Sequence, residues 1–279
     1  MNFRRMLADL RARLSPHARD PTATKPVVAR DASDASTDSA GSSSSTDSSP
    51  RAATATDAEF PVDDDVKGLE QSPIDICVLD GDLVRQDDDA VVITVGSARA
   101  RVVQTGGNFR VEWQGEHTNA LTIKGKTYYA IQFHFHAPSE HTLGGQHEAM
   151  ELHLVHQASD GSLAVVALFF REGRENEFLS QFFGELPVCE DDGAAVELEC
   201  EVDPRCLQLL SGLFYRYRGS LTTPPYSEGV EWVVLQDVAE ASAQQIAHYR
   251  STIPCENARA VQPRNHRLVT LHRPCACSV

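Results

Sequence analysis

From about residue 66 onward, hydrophobic positions gather in short runs of the length and residue types that mark β-strands. AVVITV (90–95), RVVQT (101–105), FRVEW (109–113), ALTI (120–123), YAIQFHFHA (129–137), AMELHLVH (149–156), LAVVALFF (163–170) and VEWVVLQ (230–236) are rich in β-branched and aromatic residues. Gly, Asp and Asn turn signals separate them. RENEFLSQFF (174–183) and ASAQQIAHY (241–249) replace those residues with Glu, Gln and Ala and read as helices. Strands that follow one another this closely leave little chain for the crossover helices of parallel βαβ units. The pattern predicts an α+β fold, a mainly antiparallel sheet with peripheral helices.

The first 65 residues follow different rules. In MNFRRMLADLRARL (1–14), Phe3, Met6, Leu7, Leu10 and Leu14 recur at helical spacing among arginines. Such a basic, acid-poor amphipathic segment resembles an organelle transit peptide. A membrane-surface helix and a disordered basic tail are its alternatives. Residues 31–59 are dominated by Ser, Asp, Ala and Thr and read as a disordered linker with little that could enter a core. The expected organisation is therefore a basic segment (1–30), a linker (31–65), one folded domain (66–272) and a short Cys-containing tail (273–279).

Charge and cysteines narrow the function classes. The net charge of −15 argues against nucleic acid as a partner, because phosphates would be repelled. No run of about 18–20 apolar residues offers a membrane span, and the N-terminus lacks the apolar core of a secretory signal. The seven cysteines cannot all pair within one chain, and none has CxxC spacing. Mostly reduced thiols favour an intracellular compartment, with mitochondrion or plastid implied if residues 1–30 are a transit peptide and the cytoplasm if they are not.

Candidate chemistry sits in QFHFHA and ELHLVH. Side chains two apart on a strand share a face, so His134 and His136 point one way and Phe133 and Phe135 the other. His153 lies on a second strand, where alternation puts Glu151, His153 and Val155 on one face. If the two strands are neighbours, three imidazoles can converge on one point. Three neutral histidines suit zinc and leave a fourth tetrahedral position for water, although imidazole also suits other first-row metals. A strand histidine by itself is more often packed or surface-exposed than a ligand. HFHAPSE also has the form of a cupin site built on His134, His136 and Glu140. That fold should supply a later Pro-x-Gly turn and a fourth ligand histidine, and the chain contains no PxG.

Six segments, QSPIDI (71–76), QFHFHAPSEHTLGG (132–145), ELHLVH (151–156), LAVV (163–166), YRGSLTTPPYSEGVEW (217–232) and NARAVQPRN (257–265), occur in an order and spacing that resemble the α-class carbonic anhydrases. The resemblance spans about residues 70–270, and the short path from HFH to SEH is closer to microbial and algal members. It implies a large twisted, mostly antiparallel sheet. It implies reversible hydration of carbon dioxide to bicarbonate and a proton by hydroxide on a Zn2+ ion held by His134, His136 and His153. It makes Thr222 and Glu140 catalytic, the threonine hydroxyl donating to the carboxylate and accepting from the hydroxide. Gln132, Glu151 and Asn257 would orient the ligands, since an imidazole with its far N–H held keeps its tautomer. Val155, Val165, Leu221, Thr222, Thr223, Val230 and Trp232 would border the substrate. Without the resemblance, the apolar members of that set read as plain core. A related but non-catalytic binding protein is the alternative function.

The chain departs from the family pattern at four places, the least of them Ala260 where the NARAVQ block usually has proline. The position often held by a proton-shuttling histidine is Gly107, so hydration is expected to be limited by proton transfer unless His117 or another group substitutes. DDDVKGLE replaces an aromatic-rich segment before QSPI. Tyr226 follows TTPP where secreted members often have cysteine.

Overall fold

The computed structural model describes residues 68–77, 91–115, 118–186, 193–209 and 212–272. The expected N-terminal segment, linker and C-terminal tail lie outside the described residues, as does His117.

Among the described residues, thirteen strands carry the fold: β1 (Asp75–Ile76), β2 (Val92–Thr94), β3 (Ala100–Thr105), β4 (Asn108–Trp113), β5 (Ala120–Ile123), β6 (Lys126–His136), β7 (Thr142–Leu143), β8 (Met150–Gln157), β9 (Leu163–Glu172), β10 (Ala195–Glu197), β11 (Phe214–Ser220), β12 (Glu228–Ala241) and β13 (Thr270–His272). Eleven of them form one sheet in the order β10-β3-β4-β6-β8-β9-β12-β11-β13, with β5 also on β6 and β2 on β5. Most pairs are antiparallel, as the close succession of strands predicted. Within the large sheet β9 pairs parallel with β12, and β1 pairs parallel with β7 outside it. Two α-helices of the described residues lie at the periphery, α1 (Glu177–Ser180) and α2 (Ala243–Thr252). No helix among the described residues is long and apolar enough to cross a membrane.

The helix expected over 174–183 is a single capped turn. Asn176 accepts from the backbone N–H groups of Phe178 and Leu179, but Phe182 leaves helical geometry at φ −145, ψ −11. That break lets Phe178, Leu179, Phe182 and Phe183 all bury beneath the sheet, where burial of each large side chain outweighs the few hydrogen bonds a longer helix would add. Helix α2 forms where expected and carries a full capping box between Ser242 and Gln245.

Strand alternation divides the core in two. The larger cluster collects Phe133, Phe135, Phe170, Phe178, Phe182, Phe183 and Tyr249 on one face of the central strands. The other face holds a smaller cluster with Val155, Val165, Tyr217, Leu221, Val230 and Trp232, and the candidate ligands lie on this side.

Candidate metal centre

Strands β6 and β8 are central neighbours. Their register sets His134 opposite His153 and His136 opposite Glu151. Directly opposed residues of an antiparallel pair share a face, so the alternation that grouped the histidines within each strand also joins them across strands. Ring centroids are 5.1 Å apart for His134–His136, 5.3 Å for His134–His153 and 4.7 Å for His136–His153. One ring nitrogen from each lies within 4.8 Å of the other two.

The surrounding groups decide which nitrogens these are. His134 Nδ1 donates to Gln132 Oε1 at 2.9 Å, and His136 Nδ1 donates to the Asn257 carbonyl at 3.0 Å. His153 Nε2 donates to Glu151 Oε1 at 2.9 Å. Each acceptor fixes one tautomer, which leaves His134 Nε2, His136 Nε2 and His153 Nδ1 with lone pairs for a metal. Burial, then the neighbouring His136, His153 and Arg110, hold the His134 imidazole well below its ordinary value of 6.5, in the neutral form that ligation requires.

Glu151 anchors more than its own histidine. Its Oε2 accepts the backbone N–H groups of Glu140 and His141 at 2.7 and 2.8 Å, and its Oε1 also accepts His141 Nδ1 at 2.6 Å. Burial opposes its ionisation, but His141 and His153 outweigh that and keep the carboxyl well below the usual carboxylate range. His141 Nε2 in turn accepts from the Tyr217 hydroxyl at 2.6 Å, and Ser72 Oγ lies 2.8 Å from the same hydroxyl. The sequence reading missed His141. Its position in SEH, directly after the candidate Glu140, is the signal that was available.

The donor set fits a zinc ion. Zinc–nitrogen bonds of about 2.0–2.1 Å set two nitrogens on one tetrahedral ion roughly 3.4 Å apart, within the spread of the three rings. His136 Nε2 is buried and has no hydrogen-bond partner among the described residues, an arrangement that costs about 1–3 kcal/mol if nothing occupies the lone pair. The oxygen facing that nitrogen at 3.4 Å is Glu140 Oε2, itself 3.8 Å from His153 Nδ1.

Glu140 is where the structure departs from expectation. Its Oε1 accepts the Arg259 backbone N–H at 2.8 Å, but its Oε2 has no hydrogen-bond partner among the described residues. The expected hydrogen bond from the Thr222 hydroxyl to Glu140 is therefore not made. The oxygen lies instead beside two ring nitrogens whose lone pairs offer it no hydrogen bond.

Beside the histidines opens a cleft of about 490 Å³, lined by Ile131, Gln132, His134, His153, Val155, Leu163, Val165, Leu221, Thr222, Thr223 and Trp232. Of the residues expected to border substrate, Val230 alone is missing from this lining. It is buried in the core behind the cleft, opposite Gly219 on β11. Ile131 and Leu163 were not anticipated. Simple alternation turns Ile131 away from His134, but the pairing of β6 with β8 shifts register between Ala130 and Gln132, and that irregularity turns it back. Leu163 shares a face with Val165, a signal alternation did contain.

Strand β4, the neighbour of β6 in the sheet, is charged. Arg110 pairs in register with His134, and Glu112 with Gln132. Arg101 and Arg110 both bind Glu112, at 2.6 and 2.8 Å. Gly107, in the turn between β3 and β4, has φ +124.

Comparison with known proteins decides the family. The model of the eukaryotic-type carbonic anhydrases matches residues 60–273. The chain belongs to the carbonic anhydrase family. Alpha carbonic anhydrase 3 of Arabidopsis thaliana is 36% identical over 208 residues, 74% of this chain and 75% of that protein. A carbonic anhydrase of Klebsiella pneumoniae is 37% identical over 168 residues, 60% of this chain and 68% of that protein. Among solved structures, the α-carbonic anhydrase of Thermovibrio ammonificans bound to sulfanilamide superposes with TM-score 0.66 at 38% identity, covering 73% of this chain and 87% of its own. Dioscorin complexed with ascorbate superposes with TM-score 0.68 at 31% identity, covering 75% and 88%. The buried His134, His136 and His153 cluster is typical of a zinc site in this family. Family and fold together set aside the cupin reading.

Proposed function

We propose that the protein is a zinc-dependent carbonic anhydrase that reversibly hydrates carbon dioxide to bicarbonate and a proton. One observation carries this reading. Three imidazoles of fixed tautomer converge beside a cleft whose lining is mostly apolar, with Gln132, Thr222 and Thr223 among its polar members.

His134, His136 and His153 would hold the ion, which supplies Lewis acidity and so makes water ionise near neutral pH. Gln132, Asn257 and Glu151 keep the three rings aimed. Carbon dioxide is small and uncharged, and Ile131, Val155, Leu163, Val165, Leu221 and Trp232 offer it a wall with no competing hydrogen bonds. Thr222 and Thr223 also line the cleft, where a hydroxyl and backbone N–H groups can orient an oxygen nucleophile and polarise the substrate. Glu140 is the acceptor beneath Thr222 in this reading, and a rotation of its unpartnered Oε2 would complete that link. The reaction releases one proton per carbon dioxide hydrated. With glycine at position 107 no imidazole stands there to carry it, so external buffer takes the proton. The basic N-terminal thirty residues are read as a targeting segment, which imaging of the chain with and without them tests.

A non-catalytic binding role is the second reading. Two observations favour it, the absent Thr222–Glu140 hydrogen bond and the likeness to dioscorin bound to ascorbate. Stopped-flow hydration by the zinc-loaded full chain separates the two. A rate that rises with imidazole buffer concentration supports the enzyme. A rate no higher than that of buffer alone supports the binding protein.

A further inference from the structure

The peptide between Phe135 and His136, which lies between the candidate ligands His134 and His136, is held by groups outside the strand ladder. Strand β4 begins at Asn108, and its register with β6 runs only from Arg110↔His134 to Glu112↔Gln132. Beyond His134, that edge of β6 has no strand partner among the described residues. Side chains from three separate elements replace it. The Phe135 carbonyl oxygen accepts from Asn108 Nδ2 at 2.9 Å, from Asn257 Nδ2 at 3.1 Å and from the Tyr249 hydroxyl at 2.5 Å. A carbonyl oxygen has two lone pairs, so three donors saturate it.

Tyr249 links the others. Its hydroxyl also accepts from Asn257 Nδ2 at 2.9 Å and lies 3.1 Å from Asn108 Oδ1. Asn257 completes the frame, since its Oδ1 accepts the Ala137 N–H at 3.0 Å and its carbonyl accepts His136 Nδ1. The peptides on both sides of His136 and its far ring nitrogen are therefore tied to one cluster. The Tyr249 ring packs against Phe109, Phe135 and Phe183 at centroid distances of 5.6, 5.8 and 6.4 Å. A phenylalanine ring would fill that space equally well. Only the hydroxyl can hydrogen-bond to the strand's backbone.

We infer that Tyr249 is a positioning residue for the metal centre: its hydroxyl, with Asn108, fixes the Phe135–His136 peptide and so sets the direction of His136 toward the ion. Helix α2, which makes no hydrogen bond to a candidate ligand among the described residues, is thereby coupled to the geometry of the site. This inference rests on the zinc reading above, and its test keeps the two apart.

The experiment is competition titration of zinc against a chromophoric chelator on the full chain, with the visible bands of the cobalt(II)-substituted protein as second readout. Tyr249→Phe is compared with Ser242→Ala, which removes the cap of the same helix without touching β6. Tyr249→Phe is expected to weaken zinc binding about tenfold, the low end for loss of an outer-shell partner, and to shift the cobalt bands. Ser242→Ala should lower Tm and leave affinity and bands as in the unaltered protein. Unchanged affinity and bands in Tyr249→Phe overturn the inference while the zinc site stands. An unaltered chain that binds no zinc overturns both. If Tyr249→Phe does not fold, Asn108→Ala removes the neighbouring donor, and the same two readouts decide.

Discussion

Strand β6 carries two opposite environments one residue apart. Phe133 and Phe135 are fully buried among Phe170, Phe178, Phe182, Phe183 and Tyr249. Gln132, His134 and His136 face the metal centre, and both rings there are held by a named acceptor. Strand β8 repeats the contrast with the same residue type. His153 has a lone pair aimed at the metal centre, whereas His156, on the opposite face, is a neutral histidine sealed in the core with its Nδ1 donating to the Leu154 carbonyl at 2.9 Å. One face stores stability in apolar area, and the other devotes polar groups to direction. Damage to the first should unfold the protein, and damage to the second should silence it.

The largest effect expected is on the histidine face. His136→Ala should abolish stoichiometric zinc binding and reduce hydration to the buffer rate, while circular dichroism still reports the native sheet, because the change removes a buried nitrogen that has no partner among the described residues. Unfolding of that variant would erase the distinction between the faces. Phe133→Ala should do the reverse. It is expected to cost about 3–5 kcal/mol in denaturant titration, as large-to-small core changes do, and to retain zinc where it is still folded.

The third effect uses the two histidines of β8. Burial lowers the pKa of His156 from 6.5 to about 4. The unfolded chain binds a proton there more readily than the native one, so this group costs nothing above pH 6.5 and its penalty grows as pH falls toward 4. The full difference is about 3 kcal/mol. His156→Leu should therefore flatten stability between pH 6.5 and 4 relative to the unaltered protein, measured by denaturation at each pH. Equal slopes would mean that His156 is not sealed as described. The smallest effect concerns the missing shuttle. At φ +124, Gly107 occupies a conformation that side chains with a Cβ resist, although its nearest neighbour, Pro254 Cγ, would lie at an ordinary 3.8 Å. Gly107→His and Gly107→Ala should each cost about 1–3 kcal/mol. A much greater cost for histidine would point to crowding instead of the backbone.

How much of this was legible in the sequence follows from the range of the signals. The eight strands read from runs of β-branched and aromatic residues all appear, because those residues suit the pleated, buried surface of the sheet whether one face is buried or, as in β8, both are. Strand β11 was missed although Tyr215 and Tyr217 alternate with Arg216 and Arg218, since the arginines disguise a strand that is almost wholly buried. The His134–His136 pair was readable from alternation alone. That His153 faces them required knowledge of which strands are neighbours, a long-range fact no local pattern contains. Glu151 and Gln132 lie two residues from their histidines and were within reach of the same argument. Asn257 comes 121 residues after His136, and only the family resemblance supplied it. Ile131 turned out to line the cleft through a register irregularity, and Val230 to lie behind it. The tie between Tyr249 and the Phe135 carbonyl spans 114 residues and has no local trace at all.

The most direct test of the convergence of the three histidines is zinc K-edge X-ray absorption on the full chain purified with its metal. Three imidazole nitrogens and one oxygen donor at about 2.0–2.1 Å, with no sulfur, is the result expected from His134, His136 and His153. Sulfur scattering near about 2.3 Å would assign the metal to the chain's cysteines and contradict the site described here.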